Sequence, residues 1–134
     1  YCSPLVRAAE TAQIVLENRD IPIIKDERLM EMGFGSYEGL ENSLNIPDCP
    51  INIIFQQPEK YTESVGGAET FAQLFKRTGL FLKEIIEPQL QEGKDILIVG
   101  HGAMNSAIIC QMKNLPIDKF WSAGIEQCKM LRLA

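Results

Sequence analysis

Asp95-Ile96-Leu97-Ile98-Val99-Gly100-His101-Gly102-Ala103 joins an unbroken aliphatic run to a histidine held between two glycines. A run of that kind, bounded by Lys94-Asp95 and by Gly100, predicts a central parallel strand whose two faces are both covered. Open α/β sheets place their ligands at the C-terminal ends of such strands. His101, the single histidine of the chain, sits at that end. Gly100 and Gly102 permit a tight turn and close approach to the backbone, and the helix that follows aims free N–H groups at an anion. The pattern describes a phosphate site. A lone histidine in a loop is more often a surface or capping residue, but strand, Gly-His-Gly turn and helix together favour the functional reading. A serine nucleophile elbow is excluded, because His101 stands where its serine would be.

The 134 residues have the length of one domain, 1–134, and the apolar (46%) and charged (23%) fractions are those of an ordinary globular protein. A net charge of −5 argues against nucleic acid as a partner. A few converging cations can still build a positive pocket on an acidic surface, so a small phosphorylated substrate is compatible. No apolar run approaches the length of a membrane span and no basic-then-apolar leader opens the chain, so the expectation is a soluble cytoplasmic protein with no membrane partner. Cys2, Cys49, Cys110 and Cys128 are scattered without a Cys-x-x-Cys pair, which predicts free thiols and no metal.

Tyr1-Cys2 reads as the end of a strand whose beginning is missing, which makes the chain a fragment. Ser3-Pro4 is a helix entry, serine as N-cap and proline in the first turn. Leu5, Ala8, Ala9, Ala12, Val15 and Leu16 form an apolar stripe over a helix from Pro4 to about Glu17. Arg7, in its first turn, is placed either to share an anion with the helix N-terminus or simply to face solvent. Ile21 to Lys25 predicts an edge strand, Pro22 being unable to donate to a ladder. Residues 26–40 form a glycine-rich loop in which Glu31, between Met30 and Met32, has semi-apolar surroundings suited to a proton donor; a solvated glutamate is the plainer reading. Residues 41–64 stay unassigned between a short helix and a lid. A long amphipathic helix starts near Phe71 and ends or kinks at Pro88. Ala103 to about Lys113 is a buried helix stopped by Asn114-Leu115-Pro116, residues 117–123 hold one further turn, and the alternation of Gln127 to Leu133 suits a last strand. Strands and helices in alternation define an α/β domain.

In this order the motifs resemble the histidine phosphatase superfamily, the phosphoglycerate-mutase-like proteins. Ser3-Pro4-Leu5-Val6-Arg7-Ala8-Ala9-Glu10-Thr11-Ala12 is similar to its Ser-Pro-Leu-x-Arg-Ala-x-x-Thr-Ala segment. Leu29-Met30-Glu31 through Tyr37-Glu38-Gly39 is similar to its Leu-x-Glu…Phe-Gly-x-Trp-Glu-Gly segment, Gly67-Ala68-Glu69-Thr70 to its Gly-Gly-Glu-Ser helix start, and Val99-Gly100-His101-Gly102 to its Val-x-His-Gly turn. The resemblance implies a three-layer α/β/α sandwich with a mostly parallel central sheet, here without its first strand. It implies phosphomonoester hydrolysis through a phosphohistidine, with Arg7 gripping the phosphate, His101 and the Gly102 N–H stabilising the transferring group, and Glu31 as acid and then base. No metal and no cofactor are implied. The family's Arg-His-Gly nucleophile motif is not in this chain, and His101 matches the second histidine, so the chain alone is expected to be inactive. Met32-Gly33-Phe34 after Glu31, and the lack of arginine from Glu41 to Gly66, favour phosphatase over phosphoglycerate mutase-type transfer. A non-catalytic phospholigand-binding module is the alternative from another class. A sheet without its first strand carries an unpaired edge, and pairing between chains there would make a homodimer.

Overall fold

The computed structural model describes residues 1–40, 43–124 and 126–133. Three extended segments lie side by side, residues 1–3 in the middle. On one flank the Cys2 N–H donates to Ile24 O (2.9 Å) and the Asp26 N–H to Cys2 O (3.0 Å); on the other the Val99 N–H donates to Tyr1 O and the Ser3 N–H to Val99 O, both at 3.0 Å. Both contacts, Cys2 with Lys25 and Cys2 with Val99, are parallel, but each is an isolated bridge. The expected central sheet is therefore reduced, among the described residues, to two bridges. The aliphatic run is correspondingly not central. Ile96 and Ile98 are half-buried, and the Ile98 backbone, which faces away from residues 1–3, makes no hydrogen bond among the described residues.

Helices cover both faces of this array. The alternation of a strand sends Tyr1, Ile96 and Ile98 to one side, where Leu29, Phe81, Leu82, Ile86, Met104 and Ile108 receive them. Cys2, Val99 and Ile23 meet Ala9 and Ala12 of α1 (Val6–Val15) on the other. Alanines at these positions let the helix approach closely. The helix begins at Val6, two residues later than expected, with Leu5 as its N-cap and no side-chain cap. Ser3 lies two residues before that cap, its hydroxyl accepting the Leu5 N–H (3.3 Å) and pairing with His101 (2.8 Å).

The unassigned stretch, with Glu41 and Asn42 outside the described residues, folds into short turns around α2 (Ile53–Gln56). Ile51, Ile54 and Tyr61 join Met32, Phe71, Leu74, Ala107 and Phe120 in the largest core cluster. Trp121 locks it by donating its indole N–H to Ile54 O (2.8 Å) and stacking on Phe55. The long helix runs as α3 (Phe71–Phe81), a wider π segment (Leu82–Ile86) and α4 (Glu87–Gln91). Pro88 is carried inside it: with no N–H to give, proline breaks the i→i−4 pattern, and the π segment just before it absorbs the mismatch. α5 (Gly102–Lys113) ends as expected at Asn114, in the left-handed conformation that asparagine tolerates.

The last predicted strand does not form. Residues 127–133 lie almost wholly exposed, Met130 at 74%, and Cys128 has a φ of +57°. Alternation marks a segment able to pair; only a neighbouring strand makes it a strand.

Candidate functional site

The N-terminus of α5 organises the site. Of its first N–H groups, that of Asn105 donates to His101 O (2.8 Å), that of Met104 to Glu31 Oε1 (3.1 Å) and that of Ala103, at 3.4 Å, to Glu31 Oε2. The Gly102 N–H donates to nothing among the described residues, and Gly102 is exposed. One donor at the positive end of a helix is thus left open beside His101.

Glu31 is not in the semi-apolar setting its neighbours suggested. Met32 is buried, but the carboxylate turns to backbone donors, taking the Met32 N–H (2.9 Å) on Oε1 as well. Oε1 is thereby occupied twice, and among the described residues Oε2 holds only the long contact to Ala103. The histidine beside it is 7% exposed, and its Nε2 lies 2.8 Å from Ser3 Oγ. Burial holds the His101 ring below its ordinary pKa of 6.5; the Glu31 charge opposes this, while those of Arg7 and Arg77 add to it. Arg7 is exposed in the first turn of α1; its carbonyl accepts the Thr11 hydroxyl (2.7 Å), while its guanidinium makes no ion pair or hydrogen bond among the described residues. The structure therefore brings Glu31 to the helix end that begins with His101 and Gly102, where its charge and that of Arg7 both act on the ring.

The loop that carries Glu31 is held from behind. Arg77 Nε and Nη2 donate to Glu69 Oε1 (2.7 Å) and Oε2 (3.0 Å), Nη1 donates to Arg28 O (2.6 Å) and Nη2 to Glu31 O (3.2 Å). Glu69 accepts the Gly33 N–H (3.1 Å) through Oε2. A fork of five N–H donors suits this bracketing of one short segment. Gly35 closes the same loop: its φ is +56°, and a Cβ there would stand 2.2 Å from Gly66 O.

The profile of the histidine phosphatase superfamily (branch 1) matches residues 1–134. The chain belongs to that superfamily. It is 34% identical to Bacillus stearothermophilus YhfR, with a TM-score of 0.78 over 91% of this chain and 59% of that one. It is 25% identical to the α-ribazole phosphatase of Shigella flexneri, with a TM-score of 0.70 over 90% of this chain and 59% of the other. Among curated relatives, the 2,3-bisphosphoglycerate-dependent phosphoglycerate mutase 2 of Gloeobacter violaceus is 27% identical over 96% of this chain and 60% of its own length. Phosphoserine phosphatase 1 of Hydrogenobacter thermophilus is 25% identical over 94% and 59%. The chain thus spans about three-fifths of the length of these superfamily members.

Ser3, Glu69 and Arg77 carry no site role in the sequence reading. Glu69 was within reach of it, lying in the Gly67-Ala68-Glu69-Thr70 segment that resembles a family motif. Arg77, two turns further along α3, shows no local signal that separates it from an ordinary helix arginine.

Proposed function

We propose that the chain is the larger part of a phosphomonoester hydrolase that works through a phosphohistidine, its nucleophilic histidine supplied by a segment upstream of Tyr1. The observation that carries this reading is the open Gly102 N–H beside His101 and Glu31 at the start of α5. A phosphoryl oxygen placed there meets the helix N-terminus, the Gly102 N–H and the His101 ring, and the free Arg7 guanidinium is positioned to take another. Glu31 gives its proton from Oε2, the less occupied oxygen, to the leaving alcohol, and then takes one from the water that discharges the phosphohistidine. The Arg77–Glu69 pair keeps that carboxyl in register. The open edge at Ile98 supports a further strand in a parallel α/β/α sheet, and a strand entering there delivers its C-terminal end to the same rim as His101.

Phosphatase is favoured over mutase by the scarcity of cations: residues 41–66 hold Lys60 and no arginine, too few to bind the carboxylate of a sugar-acid phosphate. Superfamily relatives of both kinds match the chain, so the sequence match does not decide between them. The test is to supply the complete protein with a phosphoglycerate and follow the phosphoryl group. Release as inorganic phosphate, through an acid-labile protein-bound intermediate, is expected; transfer to a second sugar acid faster than release reverses the assignment to mutase. Binding of phosphate without any turnover establishes the non-catalytic module instead. The 134-residue chain alone is expected to release none.

A further inference from the structure

Ser3 is fully buried, and its Oγ has two neighbours: the Leu5 N–H, which donates to it at 3.3 Å, and His101 Nε2 at 2.8 Å. A hydroxyl has one proton to give, and a buried hydroxyl whose proton goes nowhere is destabilising. Among the described residues no carbonyl or carboxylate accepts from Ser3, so Nε2 is the acceptor in reach. A neutral imidazole that accepts at one nitrogen carries its proton on the other. Among the described residues the other nitrogen, Nδ1, has no hydrogen-bond partner, yet the single buried, unpartnered side-chain atom there is Asn52 Oδ1. His101 Nδ1 therefore opens toward solvent, in a residue otherwise packed away.

We propose that Ser3 is a positioning residue that holds His101 as the Nδ1–H tautomer, so that the ring presents a donor, and not a lone pair, to the anion bound at the start of α5. The anion in this statement rests on the function proposed above; the Ser3–His101 pairing does not. A proton added to Nε2 would turn Ser3 into an acceptor twice over and strand its own proton. The contact thus opposes charging of the ring as well as setting its tautomer. The Ser-Pro segment has in this way a role at a ring 98 positions away in the chain.

Because His101 is the single histidine, one labelled residue reads the result. The chain, ¹⁵N-labelled at histidine, is examined by long-range ¹H–¹⁵N correlation at a pH above the titration of the ring. Nε2 couples to both carbon-bound ring protons and Nδ1 strongly to one, which identifies the protonated nitrogen. Nδ1–H is expected; Nε2–H in the unmodified chain overturns the proposal, whatever the variant does. In folded Ser3→Ala the population is expected to move toward Nε2–H and the titration midpoint of the ring to rise, and an unchanged tautomer there overturns the role of Ser3. Added inorganic phosphate is expected to shift the Nδ1 resonance. A confirmed Nδ1–H tautomer that ignores phosphate keeps the Ser3 pairing and removes the phosphate reading.

Discussion

At the scale of single residues, the site is an exercise in accounting for helix-terminal donors. Glu31 takes two of those of α5, so Glu31→Ala should lower stability by about 1 kcal/mol, the usual loss when a capping acceptor is removed. Glu31→Gln keeps an acceptor and gives up the charge-dipole part, about 0.3–1 kcal/mol. Urea unfolding at constant m-value measures both; an unchanged Glu31→Gln would show that the charge contributes nothing, and equal losses that the retained acceptor contributes nothing. His101 gives a pH signature. Its folded pKa lies below the ordinary 6.5, so its contribution is complete above that value and is lost as the pH falls from there through the lower folded value. Comparing the chain with His101→Gln from about pH 8 to about pH 5 should show their stability difference moving against the histidine on the acid side. A constant difference would mean that the ring charges freely.

At the scale of elements, α3 positions Arg77 and begins with a reciprocal cap. The Thr70 hydroxyl accepts the Gln73 N–H (3.2 Å) and the Gln73 side chain accepts the Thr70 N–H (2.9 Å). Thr70→Ala should cost about 1 kcal/mol in thermal or urea unfolding. The loop of residues 33–40 is less tolerant. Gly35→Ala combines a left-handed φ with a clash against backbone, and its cost should exceed the roughly 1 kcal/mol of the conformational penalty alone. Gly67→Ala, with a φ of +76° and open space around the added methyl group, isolates that penalty and should be the milder of the two.

At the scale of the molecule, the controlling feature is a sheet array whose backbone groups at Ile98 are unpaired among the described residues. Exposed edges invite pairing with another chain, so the chain should self-associate with rising concentration in analytical ultracentrifugation. A monomer throughout the accessible range would count against an available edge. Helices on both faces hold the array together despite its few ladder bonds, because Ala9 and Ala12 on one side and Phe81, Met104 and Ile108 on the other bury it without requiring further strands.

The sequence by itself determined what local pattern can encode. The apolar periodicities of α1 and α3, the mostly apolar run of α5 with its stop at Asn114, and the Gly-His-Gly turn after an aliphatic run are all properties of neighbours within a few positions, and motif order was enough to indicate the superfamily. Tertiary structure decided what depends on distant partners. Residues 127–133 alternate as a strand does and join no ladder among the described residues. Glu31 looked semi-apolar between two methionines, yet its carboxylate lies against backbone donors 72 and 73 positions away. Ser3 reads as a cap and meets His101, while Arg77 reaches Glu31 across 46 positions. Side-chain pattern records which face is buried; which polar group meets which is settled only when the packed elements bring their ends together, since hydrogen bonds act over about 3 Å and leave no periodic trace in the chain.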